Sequence, residues 1–96
     1  MEGHASISTD ILARYAADAA REVPGVEALG DGRRAVRVTA DGRPLVVELH
    51  LGVAWGAGIP EVARTVQQRV RDYLVRMADV PPPVVNVVVD EIGAAP

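Results

Sequence analysis

The chain has 96 residues and a formal net charge of −3 at pH 7, from 13 acidic residues and ten arginines without a lysine. This balance disfavours a nucleic-acid-binding protein, and the absence of cysteine excludes disulfides, thiolate metal ligands and cysteine nucleophiles. The length predicts a single domain over residues 1–96 with a structured core over residues 7–92, built from Val, Leu, Ile and Ala because aromatic residues make up only 3%.

The first predicted helix begins after Ser8, whose hydroxyl can accept a free backbone N–H of the first turn. Pro24 and Gly25 end this helix, because proline disfavours helical geometry at the residue before it and glycine permits a left-handed turn. Apolar residues recur between these points at helical spacing and predict the buried face: Ile11, Leu12, Tyr15, Ala16, Ala19 and Val23.

The middle of the chain predicts strands. Val26 to Leu29 forms either a short strand or an extended link, and residues 35–39 alternate as a strand does. Asp41-Gly42 is a strong hairpin signal between that strand and a longer one over residues 45–55. One face of the longer strand carries Leu45, Val47, Leu49, Leu51, Val53 and Trp55 and is expected to be buried.

A second helix and a last strand complete the chain. Pro60 suits the first turn of the helix, and residues 81–83, three prolines, cannot continue it. Its apolar face is predicted to consist of Ile59, Val62, Ala63, Val66, Val70, Tyr73, Leu74 and Met77. Residues 84–90 are rich in valine and predict the final strand.

These elements predict an α+β fold in the order α-β-β-α-β. Both helices pack on one face of a small mixed sheet, three-stranded or, if Val26 to Leu29 is a strand, four-stranded. A right-handed crossover through the second helix places the last strand parallel to the long one, if the two strands are neighbours. The other sheet face then combines polar and valine side chains: Arg37, Thr39, Val46, Glu48, His50, Val84, Asn86, Val88 and Asp90.

The sequence lacks the parts of a catalytic, metal or cofactor site. No hydroxyl residue belongs to a recognisable nucleophile motif with a base and an orienting group. Glu48 and His50 point the same way from one strand and could supply a base with its orienter or two metal ligands. Two ligands do not make a metal site, so a polar sheet surface is the preferred interpretation. Gly56-Ala57-Gly58 lacks the further residues of a phosphate-binding or dinucleotide-binding loop.

Nucleic-acid binding remains the alternative hypothesis. The glycine spacings do not match the GXXG loop of a KH domain, and the strands lack the aromatic residues of an RRM. The second helix nevertheless presents Arg64, Gln68 and Arg71 along one flank. This flank is the surface that a small nucleic-acid-binding α+β domain would use, although neighbouring acidic residues make a solvated helix face the preferred interpretation.

Three stretches resemble the alkaline-shock-protein family of envelope stress response proteins. They are residues 7–12 leading to Glu22-Val23-Pro24-Gly25-Val26, residues 53–70 with Val53-Ala54-Trp55-Gly56 and Ile59-Pro60-Glu61-Val62-Ala63, and Val85-Asn86-Val87-Val88-Val89. The resemblance implies a non-enzymatic, cytoplasmic bacterial protein of envelope homeostasis that uses no cofactor. It also implies self-association or a membrane-anchored family partner that holds the chain near the membrane, without direct membrane insertion.

The leading hypothesis is therefore a protein-binding module. An exposed patch of valines beside polar side chains is typical of an interaction surface. The predicted interaction surface is the sheet face away from the helices, and its candidate residues are Arg37, Val46, Glu48, His50, Val84, Asn86 and Val88.

Overall fold

A computed structural model of the protein describes residues 7–29, 35–41 and 44–94. Its elements are α1 (Thr9–Arg21), β1 (Val26–Leu29), β2 (Val36–Thr39), β3 (Val46–Val53), α2 (Ile59–Ala78) and β4 (Val84–Ile92). The predicted α+β class is confirmed. The element order agrees with the prediction except that Val26 to Leu29 is a strand rather than an extended link, which makes the order α-β-β-β-α-β. Gly42 of the predicted hairpin turn lies outside the described residues.

Helix α1 begins as its sequence predicts. The backbone N–H of Ile11 donates to the hydroxyl oxygen of Ser8 at 3.3 Å, so Ser8 is the N-cap. The fully buried line of the helix is Leu12, Ala16 and Ala20, spaced four residues apart. Placing Ile11 on the buried face was wrong, because it lies beside this line and is 43% exposed.

Helix α2 also buries one line of residues spaced four positions apart, over a greater length than α1. Pro60 lies in its first turn, two residues after the N-cap Gly58. Its buried residues repeat every four positions: Val62, Val66, Val70, Leu74 and Ala78. The prediction that Met77 is buried was wrong, since Ala78 occupies that position against the sheet and Met77 is exposed.

Strand β3 is the centre of the sheet. Strand β4 runs parallel to it along its whole length, from Val46 opposite Val84 to Val53 opposite Ile92. Strands β1 and β2 are antiparallel to different parts of β3, β2 to its first half and β1 to its second half. Because β4 covers one edge of β3, β1 and β2 lie end to end along the other edge, and the sheet is mixed as predicted.

Both helices pack on one face of this sheet, with α1 against β1 and β2 and α2 against β4. Alternate residues of β3 lie beneath them and are almost fully buried: Val47, Leu49, Leu51 and Val53. The rings of Tyr15 and Tyr73 meet edge to face between the helices, with centroids 5.9 Å apart.

Trp55 does not continue the buried face of β3, and that prediction was wrong. The strand ends at Val53, and the backbone N–H of Ala54 donates to the carbonyl oxygen of Gly25 at 2.9 Å. The chain then turns through Gly56, which has a φ of 86°. The turn carries the Trp55 side chain away from the core and leaves it 57% exposed.

Neither helix in the described part of the chain is both long and apolar enough to cross a membrane.

Candidate interaction surface

The sheet face opposite the helices, termed the outer face, is arranged in rows by the strand register. It comprises Arg37, Thr39, Val46, Glu48, His50, Val84, Asn86, Val88 and Asp90. One row joins Thr39, Val46 and Val84; the next joins Arg37, Glu48 and Asn86; in the third, His50 lies opposite Val88. The seven candidate residues predicted from the sequence therefore share one surface.

The outer face mixes exposed apolar groups with polar ones. Val84 is 42% exposed and Val88 is 38% exposed, and both lie on β4 beside the half-buried residues of β3. Arg37 and Asn86 are exposed at the two sides of Glu48. The described core contains no polar or charged side chain, so the polar groups of this region are confined to the surface.

A cluster of Glu48, His50 and Asp90 is the most specific polar feature of the outer face. The Nε2 atom of His50 lies 2.6 Å from Oε2 of Glu48, and its Nδ1 atom lies 2.8 Å from Oδ2 of Asp90. A carboxylate only accepts hydrogen bonds, so both contacts are made together when the ring is an imidazolium that donates from both nitrogens.

Asp90 lies at an irregularity in β4. Leu51 lies opposite Val89, whereas the next residue of β3, Gly52, lies opposite Glu91. Asp90 is therefore the extra residue of a β-bulge, a feature that redirects a side chain locally. The sequence predicted Asp90 on this face but not as the second partner of His50, since spacing along one strand does not fix its register with the neighbouring strand.

The cluster changes the titration of His50. The hydrogen bond to Glu48 raises the pKa of His50 from its ordinary value of 6.5, and the hydrogen bond to Asp90 raises it further. Within residues 7–29, 35–41 and 44–94, no group of three or more His, Cys, Asp or Glu side chains is suited to hold a metal ion. The arrangement is thus an acid-flanked histidine on an open surface.

The second predicted surface, on α2, is less uniform. Arg64 and Gln68 are exposed, whereas Arg71 is half-buried and its Nε donates to the carbonyl oxygen of Pro83 at 3.5 Å. Its neighbour Gln67 donates from Nε2 to the carbonyl oxygen of Val85 at 3.0 Å. Side chains on this flank are therefore partly engaged with the chain at β4.

Comparison with protein families identifies the chain. The model of the alkaline shock protein family, described by a cell envelope-related function, matches residues 1–94. The chain belongs to the alkaline shock protein family. The match confirms the resemblance that the three sequence stretches predict. No curated protein matches this alkaline-shock-family chain.

Solved structures of MamM CTD are similar to the alkaline-shock-family domain in fold. A doubly substituted variant superposes with a TM-score of 0.62 at 17% identity, covering 85% of this chain and 92% of that chain. A copper form superposes with a TM-score of 0.58 at 15% identity, covering 88% of this chain and 98% of that chain. A nickel form superposes with a TM-score of 0.56 at 16% identity, covering 85% of this chain and 96% of that chain. At these identities the likeness concerns the fold alone.

The His50 cluster predicts a pH-dependent contribution to the stability of the alkaline-shock-family domain. The pKa of His50 is raised on folding, so its stabilising effect is complete below the unfolded value of 6.5 and is lost as pH rises through the folded value. We expect the difference in melting temperature between the wild type and His50→Gln to be larger at about pH 5.5 than at about pH 9. Thermal unfolding followed by circular dichroism measures this difference, and a constant or growing difference would contradict the expectation.

Proposed function

We propose that this alkaline-shock-family domain is a non-enzymatic protein-binding module of cell-envelope homeostasis, and that it binds its protein partner through the outer face. The observation that carries the proposal is the grouping of Val46, Val84 and Val88 with polar side chains in register on one face. Interfaces commonly combine a buried apolar centre with a polar rim.

The chemistry of the outer face supports recognition rather than catalysis. Its valines supply apolar area that a partner would remove from water, at about 25 cal/mol per Å². Arg37, Glu48, Asn86 and Asp90 offer charges and hydrogen-bonding groups around these valines that fix orientation. His50 is held between two carboxylates, and neither of its hydrogen-bond partners is a nucleophilic hydroxyl.

Two kinds of protein partner agree with the family description, a second copy of the chain and a membrane-anchored protein of the envelope. The cell envelope-related function of the family supports a location near the membrane. A membrane-anchored partner would provide that location to a chain whose described helices do not span a membrane. The domain would then act from the cytoplasmic side, bound to the membrane through its partner.

A single charge on the outer face is expected to weaken partner binding. Val84→Asp should reduce binding at least about tenfold, because the interface would have to desolvate an unpaired carboxylate. Ile11→Asp is a matched control, since Ile11 is 43% exposed and Val84 is 42% exposed, but Ile11 lies on α1. Asp is also favourable in the first turn of a helix, so the control should fold normally.

The measurement is affinity capture from a detergent extract of membranes, with quantification of co-purifying proteins, alongside light scattering for self-association. We expect Val84→Asp to lose both the captured protein and any self-association, and Ile11→Asp to retain them. Equal capture by the two variants, at equal thermal stability, would show that the outer face is not the binding surface.

A further inference from the structure

The hydrogen bonds of His50 to Glu48 and Asp90 need protons on the imidazole ring, because the carboxylates can only accept hydrogen bonds. Each of its two nitrogens faces a carboxylate oxygen, at 2.6 Å for Glu48 and 2.8 Å for Asp90. A neutral imidazole has one N–H and one lone pair, so it can donate to only one of the two carboxylates. The other nitrogen then directs its lone pair at an oxygen that also carries lone pairs, and that contact becomes repulsive.

We propose that His50 is a proton-operated clasp on the outer face: the imidazolium holds Glu48 and Asp90 together, and the loss of one proton frees one of these carboxylates and makes the net charge of the face more negative by one unit. The covalent structure of the chain is unchanged, and the proton passes to solvent, because the His50 side chain is 30% exposed. The clasp joins two strands, β3 and β4, across their parallel pairing.

The charged groups around the clasp come from three strands. Glu48 lies on β3 itself, Asp90 and Glu91 lie on β4, and Arg37 lies on β2 directly opposite Glu48. Strand β1 places the uncharged Ala28 opposite Gly52, and its Glu27 carboxylate lies beside Gly93, past the end of β4. Both helices lie on the other face of the sheet.

Arg37 gives the released Glu48 a second partner. Directly opposed residues of an antiparallel pair have Cβ atoms about 5 Å apart, a distance that Glu and Arg side chains span. Among the described residues, no ion pair of Arg37 within 4 Å is found. Loss of the His50 proton that faces Glu48 would therefore allow the Glu48 carboxylate to turn toward Arg37 on β2.

The effect on binding rests on the proposed function. Glu48, Asp90 and Glu91 outnumber Arg37 and the protonated His50, so this part of the face is negative in both states and more negative when His50 is neutral. Charge complementarity then favours a partner segment rich in Arg or Lys. Such a partner should bind about 1.5- to 5-fold more tightly above the titration of His50 than below it, the range for one exposed charge pair.

NMR titration of the free protein tests the clasp without a partner. We expect the His50 ring protons, assigned by comparison with His50→Gln, to titrate at a higher pH in the wild type than in Glu48→Gln or Asp90→Asn. The carboxyl carbons of Glu48 and Asp90 should shift at the same midpoint as the ring. Equal His50 midpoints in all three proteins, or carboxyl carbons that do not follow the ring, would overturn the proposal.

Capture from membrane extract at about pH 6 and about pH 8.5 tests the consequence for binding. The wild type should bind more at the higher pH, and His50→Gln should show no such difference. A pH difference that persists in His50→Gln would overturn the link to the clasp. Absence of any captured protein at both values would instead count against the proposed function, and the NMR titration would still decide the clasp.

Discussion

Gly25→Ala is expected to destabilise the domain by about 2 to 4 kcal/mol, from the combined costs of a strained backbone and an overpacked contact. Gly25 has a φ of 96°, a region that side chains disfavour, and a Cβ built at this position would lie 2.7 Å from Cγ2 of Val62. Val62 is buried in the first turns of α2, so it has little room to move.

Gly56→Ala is the matched control. Gly56 also has a positive φ, 86°, but an added Cβ would meet nothing within 4 Å. This variant should therefore lose only the backbone component, about 1 to 2 kcal/mol. Urea unfolding of both variants measures the difference. If Gly25→Ala were no less stable than Gly56→Ala, the close approach to Val62 would be of no energetic importance.

The position of Gly25 explains why a glycine follows Pro24 after α1. The carbonyl oxygen of Gly25 accepts from Ala54, and the N–H of Val26 donates to Val23 at 3.1 Å. The turn thus fixes the end of α1 against the turn after β3, while α2 begins a few residues further on. A side chain at position 25 would force the end of α1 away from the start of α2, where Val62 lies.

Leu49→Ala is expected to lower the free energy of unfolding by about 2 to 5 kcal/mol, through lost apolar burial and the cavity left behind. Leu49 is fully buried at the middle of β3, between Val36 on β2 and Val87 on β4, and beneath the helices. The hydrogen bonds of β3 to β2 and β4 hold the residues around Leu49 in place, so these residues cannot collapse into the cavity. A domain of this kind is stable by only about 5 to 15 kcal/mol in total, so the loss is a large fraction of it.

Val88→Ala provides the comparison for Leu49→Ala. It removes an aliphatic side chain from a strand of the same sheet, but one that is 38% exposed on the outer face. It should cost no more than about 1 kcal/mol. Thermal and urea unfolding of the two variants measure both values. A similar loss in each would mean that the helix-covered face does not dominate the stability of the sheet.

Strand and helix periodicity made much of this fold predictable. The alternation of β3 predicts that Glu48 and His50 project from the same face, because side chains repeat every two residues. The hairpin signal and the crossover rule predict β2 antiparallel and β4 parallel to β3, and the register confirms both. These inferences succeed because each depends on a local pattern or on the handedness of one connection.

The errors have a common physical origin. An apolar stripe covers a wide arc of a helix, and Ile11 and Met77 lie at its margin, where the orientation of the helix decides burial. Alternation continues past Val53 to Trp55, but the turn at Gly56 ends the strand first. The contact of His50 with Asp90 depends on the β3–β4 register, which is not encoded in one strand's spacing.

The lengthwise pairing of β4 with β3 also bears on solubility. The backbone N–H of Val84 donates to the carbonyl oxygen of Leu45 on the β3 side. The backbone N–H and carbonyl of the next residue, Val85, therefore point to the opposite edge of β4, where no strand of the described residues pairs. An open, valine-rich edge is a template for intermolecular β-aggregation. The side-chain amide of Gln67 occupies the Val85 carbonyl oxygen. One helix residue thus shortens the stretch of edge that a strand from another molecule could extend.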